Sequence, residues 1–159
     1  MDLKENCIDT ARYEEYMHLA IGEALKCEES DDVPVGALIV FNNEIIGRGY
    51  NTREKFNSAI WHAEMAAVRE ANERLGVWNL TGSTLIVTKE PCVMCAGLIV
   101  QSRISKVVFG AYDKKGGGCG GSLQIAANEK LNHRAEIIGG ILENECVSLL
   151  KKFFKKKRK

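Results

Sequence analysis

Long hydrophobic runs are absent from the 159-residue sequence. Its longer apolar stretches, such as residues 37–41, are far shorter than the roughly 20 residues with which a helix spans a bilayer. The first six residues are polar and acidic, whereas a secretory signal peptide begins with a basic segment and continues with an apolar one. We therefore expect a protein without a membrane segment or an export signal, located in the cytoplasm.

The combination of low hydrophobicity and high net charge, which marks disordered chains, is lacking as well. Hydrophobic residues make up 45% of the chain, and 22 basic residues nearly balance 21 acidic ones. A chain of this length is typical of one globular domain. The sequence thus predicts a single domain over residues 1–159.

The small net charge conceals a basic C-terminus. Residues 151–159 contain seven of the 22 basic side chains and no acidic one, which leaves residues 1–150 with 15 basic and 21 acidic side chains. A basic tail favours binding to a polyanion such as a nucleic acid. The alternative is a solvated helix end, where Lys and Arg also suit the helix dipole. At least one of the two aromatic residues in this segment, Phe153 and Phe154, is expected to pack in the core.

Hydrophobic periodicity divides the chain into helices and strands. Two β-rich runs at residues 35–41 and 45–50 are joined by an Asn-Asn pair, which predicts a hairpin because Asn tolerates the left-handed turn conformation. From residue 61 onward helical and strand segments alternate, which indicates parallel strands joined by crossover helices. Together these patterns predict an α/β fold, a three-layer α/β/α sandwich around a mixed five-stranded sheet. The other predicted elements are helices at residues 10–27, 61–75, 91–101 and 142–154 and strands at residues 84–88, 106–110 and 136–138.

Six cysteines occur in this chain, and a disulfide framework is not expected because cytosolic thiols stay reduced. Cys92 and Cys95 stand one helical turn apart directly after Pro91, where a helix N-terminus stabilises thiolates and allows two sulfurs to bind one metal ion. A redox dithiol has the same spacing. However, His62 opens another predicted helix one βαβ unit earlier. Three ligands of this kind leave the fourth tetrahedral position of Zn²⁺ for water, as in catalytic zinc sites.

Glu64 follows His62 by two positions. On a continuous helix it would lie about 200° away, but if the helix begins at this point, its first turn directs both side chains into one cavity. A carboxylate beside a zinc-activated water can take up a proton and return it to the leaving group. His-x-Glu followed by Pro-Cys-x-x-Cys is the pattern of zinc-dependent nucleobase deaminases.

With both halves of this pattern present, the chain resembles the bacterial tRNA-specific adenosine deaminases of the cytidine deaminase-like superfamily. The resemblance covers residues 11–158. The zinc motifs are typical of the whole superfamily, whereas the later segments are similar to the tRNA enzymes in particular. The matching segments are Pro34-Val35-Gly36-Ala37, Gly49-Tyr50-Asn51, His62-Ala63-Glu64, residues 90–97, Ser102-Arg103, residues 107–113, Leu131-Asn132-His133-Arg134, Gly140-Ile141-Leu142 and Phe153-Phe154.

The resemblance implies a cytidine deaminase-like fold and hydrolytic removal of the C6 amino group from the wobble adenosine of a tRNA anticodon loop, which yields inosine and ammonia. It implies that His62, Cys92 and Cys95 bind one Zn²⁺ per chain. It also implies that Glu64 is the catalytic residue that shuttles protons. The implied partners are a tRNA anticodon stem-loop, with the basic end of the last helix along the stem, and a second copy of the chain in a homodimer without membrane association.

Three further residues are implied to bind the substrate. Asn51 is similar to the family's asparagine that hydrogen-bonds the flipped base, although an Asn at the end of a hairpin also satisfies turns. Ala63, between the ligand histidine and the catalytic glutamate, is assigned to the substrate pocket. Asp113 resembles a position that contacts the sugar-phosphate chain, or it is an ordinary loop aspartate.

Several segments depart from the family's pattern or from known motifs. The family usually has an Asp-Pro-Thr-Ala segment before the ligand histidine, whereas this chain has Ser58-Ala59-Ile60-Trp61. Trp61 either contacts the substrate by stacking on a flipped nucleotide or fills a gap under the sheet. Lys89 and residues 124–130 also differ, and neither is expected to touch the zinc motifs. The glycine run at residues 116–121 is predicted to be a flexible loop.

Three other functions are kept open. A small-molecule deaminase of guanine, cytosine or a nucleoside would use the same zinc chemistry without tRNA. A structural zinc protein or RNA-binding module would need a fourth protein ligand, and none stands at a suitable spacing. A thiol redox protein would use Cys92 and Cys95 as a dithiol and leave His62 and Glu64 without a role.

Overall fold

The structure is a computed structural model that describes the backbone of residues 3–158 and the side chains of residues 9–158. Its centre is a five-stranded sheet whose strands are β1 (Gly36–Phe41), β2 (Glu44–Tyr50), β3 (Thr84–Lys89), β4 (Lys106–Ala111) and β5 (Glu136–Ile138). The strand order is β2-β1-β3-β4-β5. β1 pairs antiparallel with both β2 and β3, whereas β3, β4 and β5 are parallel. The predicted mixed sheet is therefore confirmed.

Helices cover both faces of this sheet. They are α1 (Leu3–Leu25), α2 (Arg53–Phe56), α3 (Ala63–Leu75), α4 (Val93–Ser102) and α5 (Glu143–Lys157), and a 3₁₀ turn (Lys26–Ser30) follows α1. Side chains alternate along the strands, so that Ile39 and Val87 pack with α3 and α4, whereas Leu38 and Ile86 pack with α1 and α5. This arrangement is the predicted three-layer α/β/α sandwich. Within the described part of the chain, no helix combines the length and the apolar character needed to cross a membrane.

The topology brings two helix starts to the same end of the sheet. β2 and β3 are both antiparallel to β1. Both strands therefore run in the same direction, and their carboxyl ends lie at the same end of the sheet. α3 follows β2 in the chain and α4 follows β3. In open α/β sheets, ligands bind outside the carboxyl ends of the strands, and the N-termini of α3 and α4 lie there.

Two glycines let α3 lie directly against β2. A Cβ atom at Gly47 would collide with the carbonyl oxygen of Ala67, and one at Gly49 would collide with that of Ala63. Because any larger residue would push the helix away from the strand, these glycines fix the position at which α3 begins.

The observed elements agree with the predicted ones to within a few residues, with three differences. α1 begins at Leu3 instead of residue 10, and α5 continues to Lys157, so most of the basic segment is helical; Lys159 lies outside the described residues. The short helix α2 was not predicted. The backbone N–H groups of Glu54 and Lys55, in the first turn of α2, donate to the carboxylate of Asp32. Asp32 therefore caps α2 from a distant part of the sequence.

Candidate active site

The starts of α3 and α4 bring the three predicted zinc ligands together. His62 and Cys92 are the N-cap residues of α3 and α4, and Cys95 follows in the first turn of α4. The Nδ1 atom of His62 lies 3.5 Å from Sγ of Cys92 and 3.6 Å from Sγ of Cys95. A tetrahedral zinc ion, with bonds of about 2.3 Å to sulfur and about 2.0 Å to nitrogen, would hold these atoms about 3.5 Å apart. The three side chains therefore fit one zinc ion, and no fourth His, Cys, Asp or Glu of the described residues joins the group.

The electrostatics of this group favour anionic sulfur. Both cysteines lie at the N-terminus of α4, whose dipole stabilises anions. A hydrogen bond with Cys95, supported by one with His62, lowers the pKa of the Cys92 thiol to about 3. The contact with Cys92, together with burial, raises the pKa of Cys95. These contacts favour the thiolate form of Cys92, which is the form that binds metal ions.

Glu64 lies in the first turn of α3 and is only 4% exposed. Because α3 begins at Ala63, His62 precedes the helix in an extended conformation with φ −80° and ψ 158°. As a result, His62 and Glu64 line the same cavity. This is the arrangement expected if the helix begins at this point, and not the one expected for a continuous helix. Burial raises the pKa of the Glu64 carboxyl. A carboxylate in this place can exchange protons with a molecule bound in front of the metal ligands.

A cavity of about 320 Å³ opens in front of these residues, a volume at the lower end of the range for small-ligand pockets. Of the four residues predicted to contact the substrate, Asn51 and Ala63 lie in its wall, whereas Asp113 and Trp61 do not. The wall is formed by Val33, Val35, Asn51, Arg53, His62, Ala63, Glu64, Lys89, Glu90, Cys92 and Phe154.

The side chain of Asn51 forms hydrogen bonds to the backbone with both of its polar atoms. Its Nδ2 donates to the carbonyl oxygen of Val33 at 3.1 Å, and its Oδ1 accepts the N–H group of Arg53 at 3.1 Å. Asn51 therefore stabilises the turn after β2, which is one of the two roles considered from the sequence. The amide keeps a second N–H and a second lone pair, so contact with a base stays a prediction that this geometry allows.

The Asp113 carboxylate is engaged within the protein. Its Oδ1 accepts the N–H groups of Lys115 and Gly116, each at 3.0 Å, and its Oδ2 lies 2.8 Å from Nζ of Lys89. Burial alone would raise the pKa of Asp113, but these hydrogen bonds outweigh burial and lower it. Lys89 lines the cavity together with His62 and Cys92, and the expectation that it does not touch the zinc motifs stays a prediction.

Trp61 packs beside the cavity. Its ring centroid lies 5.5 Å from that of Phe56 on α2, and the guanidinium group of Arg69 on α3 lies 5.7 Å from the Trp61 ring. Trp61 therefore fills space between α2 and α3. A stacking contact with a nucleotide stays a prediction for this residue.

Glu90 is a buried acid that the sequence analysis does not identify. It is 1% exposed, and its carboxylate accepts the N–H group of Asp113 at 2.7 Å and that of Gly121 at 2.6 Å. A Cβ atom at Gly117 or Gly121 would collide with this carboxylate. The glycine run predicted to be a flexible loop is instead folded around Glu90 by hydrogen bonds.

α5 completes the cavity wall. Phe154 is 45% exposed and lines the cavity, and Phe153 is half-buried with its ring 5.2 Å from that of Phe154. Neither ring is buried in the core, so the expectation for at least one of them is wrong. Lys157 forms an ion pair with Asp31 of the turn after α1. The basic end of α5 therefore begins immediately after a residue of the cavity.

Comparison with known proteins gives consistent matches over most of the chain. The model of the family described as the cytidine and deoxycytidylate deaminase zinc-binding region matches residues 10–111. A tRNA-specific adenosine deaminase of Bacillus subtilis is 51% identical over 144 residues, which cover 91% of this chain and 89% of that protein. One from Streptococcus pyogenes is 46% identical over 143 residues, which cover 90% of each chain. A structure from a study of A-to-I editing by tRNA:A34 deaminases at the wobble position matches with a TM-score of 0.82 and 37% identity, covering 86% of this chain and 99% of that one.

Proposed function

The chain belongs to the zinc-dependent cytidine and deoxycytidylate deaminase family, and from this premise we propose that it hydrolytically deaminates an adenosine of tRNA to inosine. The observation that carries the proposal is that His62, Cys92 and Cys95 form one metal-binding group and that His62 and Cys92 line the same cavity as Glu64. The chain is 46–51% identical to tRNA-specific adenosine deaminases over about nine-tenths of its length, and this similarity supports tRNA as the substrate. We assign the reaction to the wobble adenosine of an anticodon loop and to the cytoplasm, where tRNA is available.

The metal ligands hold one Zn²⁺ per chain through one nitrogen and two sulfur atoms. When bound, the ion supplies the nucleophile, because zinc lowers the pKa of a water molecule to about 7. His62 and Cys92, as N-cap residues, are fixed by the backbone at the two helix starts. The ligand positions therefore depend on the sheet and on both helices, and not on a mobile loop.

Glu64 moves the protons of the reaction. Its carboxylate accepts a proton from the attacking water and donates a proton to the amino group at C6. A C–O bond forms at C6 and the C–N bond breaks, so that adenosine and water become inosine and ammonia. Its near-complete burial keeps the carboxylate beside the reacting atoms and away from bulk solvent.

The target adenosine enters the cavity after leaving its stack, which costs little in a loop. Asn51 binds the base with the N–H group and lone pair that its backbone hydrogen bonds leave free. Ala63 is fully buried between the metal ligand and Glu64, and its small side chain leaves room for the ring. Trp61, with the neighbouring Phe56 that is 54% exposed, offers a stacking surface to an adjacent nucleotide.

The basic end of α5 binds the anticodon stem. Phe154 lies at the cavity, and residues 155–159 continue from it with five basic side chains. Each phosphate contact that these residues make adds affinity that falls with salt concentration. The helix therefore links the site of the reaction to the backbone of the substrate.

The active form is a homodimer that contacts its partner through α4. Val93 on this helix is 46% exposed, and a Cβ atom at Gly97 would meet nothing within 4 Å. These two residues are four positions apart and share a helix face. An apolar, small-residue face beside the metal ligands suits close packing against a second copy.

An inosine assay tests the proposed function. Zinc-loaded protein is incubated with an anticodon stem-loop RNA that carries adenosine at the wobble position, and in parallel with free adenosine, cytidine and guanine. We expect inosine in the RNA at this position and no ammonia from the free compounds. Ammonia released only from a free base or nucleoside would support the small-molecule deaminase instead, and no product from any substrate would contradict both.

A further inference from the structure

We propose that Lys89 binds the phosphate group next to the target nucleoside and thereby selects a nucleotide within an RNA strand over a free nucleoside. This inference rests on the proposed function. Lys89 is the last residue of β3 and lines the same cavity as His62 and Glu64. Its side chain is 31% exposed, so it is not enclosed in the core.

The arrangement around Lys89 leaves hydrogen-bond donors available for a ligand. Its Nζ lies 2.8 Å from Oδ2 of Asp113, and this ion pair is the contact that fixes it. An ammonium group carries three donors, so two N–H bonds stay available. An anion in the cavity can accept them while Asp113 keeps its place on the other side of Nζ.

Asp113 is unsuited to bind a phosphate itself. Its carboxylate is negative, as the lowered pKa indicates, and its Oδ1 accepts two backbone N–H groups of its own loop. It also lies outside the cavity wall. In this phosphate contact Asp113 is therefore a positioning residue for Lys89, and its own contact with the sugar-phosphate chain stays a prediction.

The position of this ion pair is set by the backbone on both sides. Lys89 pairs with Ala111 across the parallel strands β3 and β4, and the N–H group of Asp113 is held by the neighbouring Glu90 carboxylate at 2.7 Å. The ammonium group is thus ordered before a substrate binds. A pre-ordered Lys loses less side-chain entropy on binding than a free one.

This placement gives Lys89 a role in selectivity. Free adenosine and the free bases carry no phosphate, whereas every internal nucleotide of an RNA carries one on each side. A single phosphate contact in a single-stranded region changes the slope of log K against log salt concentration by about 0.7. The contact therefore favours the RNA over the nucleoside without altering the chemistry at C6.

The test compares K89M and K89R with the wild type and with K114M, which removes an exposed lysine outside the cavity wall. Binding of the stem-loop RNA is measured at several salt concentrations. We expect K89M to weaken binding roughly tenfold or more and to reduce the salt slope by about 0.7, with unchanged zinc content. K89R should restore most of the affinity, and K114M should leave it near that of the wild type.

Neutral methylphosphonates at the two phosphates flanking the target nucleotide separate a direct contact from a structural effect. At one of these positions the modification should weaken binding to the wild type but not to K89M. If the modification weakens both proteins equally at both positions, Lys89 does not bind either phosphate and the proposal is wrong.

A failure of the proposed function would be recognised separately. If the wild type does not act on the RNA but deaminates a small molecule, the same proteins are compared on the nucleoside and its 5′-monophosphate. Loss of a preference for the monophosphate in K89M would support the phosphate site. An equal preference in K89M and the wild type would overturn it.

Discussion

Single side chains at the cavity are fixed by hydrogen bonds that reach across the sequence. Asp32, which is 1% exposed, accepts N–H groups of Glu54 and Lys55 and so holds the segment that follows Asn51. Glu90 holds the loop that contains Asp113 in the same way. Because these groups are in place before a substrate arrives, binding has less to order, which favours a productive geometry.

Glu64 and Cys92 are predicted to fail in different ways when they are replaced. E64Q removes the proton carrier without removing a ligand, so it should lower kcat by at least about 10² while zinc content stays at that of the wild type. C92A removes a ligand and should lose the metal. Zinc analysis and deamination rates of the two variants check this. Appreciable turnover in E64Q, or full zinc content in C92A, would contradict the assigned roles.

For single residues, the sequence predicts the functional roles of those side chains that stand close together in the sequence. His62 and Glu64 share one helix start, and Cys92 and Cys95 share another, so their roles can be inferred from motif spacing. The contacts of Lys89 and Glu90 depend on the path of a loop 23 to 31 positions further along the chain. No periodicity encodes that path, and the contacts of these residues were therefore not predicted.

Among the elements, the loop over residues 113–121 needs glycine where it approaches the carboxylate of Glu90. A Cβ atom at Gly121 would collide with the carboxylate of Glu90 and with the carbonyl oxygen of Asp113. The loop can approach the buried acid only because glycine stands there. Its conformation in turn sets the position of Asp113, and therefore that of Lys89.

G121A is accordingly predicted to destabilise the protein by about 1–3 kcal/mol, the usual cost of overpacking, and to lower the affinity for RNA. G22A on α1 is the matched control, since a Cβ atom there would meet nothing within 4 Å. Chemical denaturation of both variants gives the free energies of unfolding. Equal stability of G121A and the wild type would show that the loop adapts without cost.

The basic end of α5 is predicted to act on RNA and not on the metal site. Removing residues 155–159 should weaken stem-loop binding at least roughly tenfold at low salt with zinc content unchanged. Because Lys157 pairs with Asp31, D31N serves as the control that breaks the pair but keeps the positive charges. Unchanged affinity of the truncated protein at low salt would contradict the assignment.

The elements themselves could be predicted well because their cores follow simple periods. The apolar alternation of β1 and β3 and the crossover pattern after residue 61 both specify the mixed sheet. α2 was not predicted because its cap, Asp32, lies more than 20 residues away from the helix. The expectation that at least one of Phe153 and Phe154 packs in the core was wrong because an apolar helix face that borders a cavity has the same sequence pattern as one that faces the core.

For the whole molecule, the exposed face of α4 predicts association of two copies beside the metal sites. G97R places a long charged side chain on this face, and we expect it to convert the dimer to a monomer. G22R, on a glycine of α1 that is equally open, should stay dimeric. Light scattering after size-exclusion chromatography gives the mass of each variant. A wild type that is monomeric, or a G97R variant that is dimeric, would contradict the proposed interface.

The central claim concerns the whole protein, namely that one zinc ion per chain enables it to convert adenosine to inosine in tRNA. The most direct measurement is the rate of inosine formation at the wobble position of a stem-loop RNA as zinc is titrated into metal-depleted protein. The rate should rise in proportion to bound zinc and level off at one ion per chain. Inosine formation by zinc-free protein, or its absence with the site fully loaded, would contradict the account.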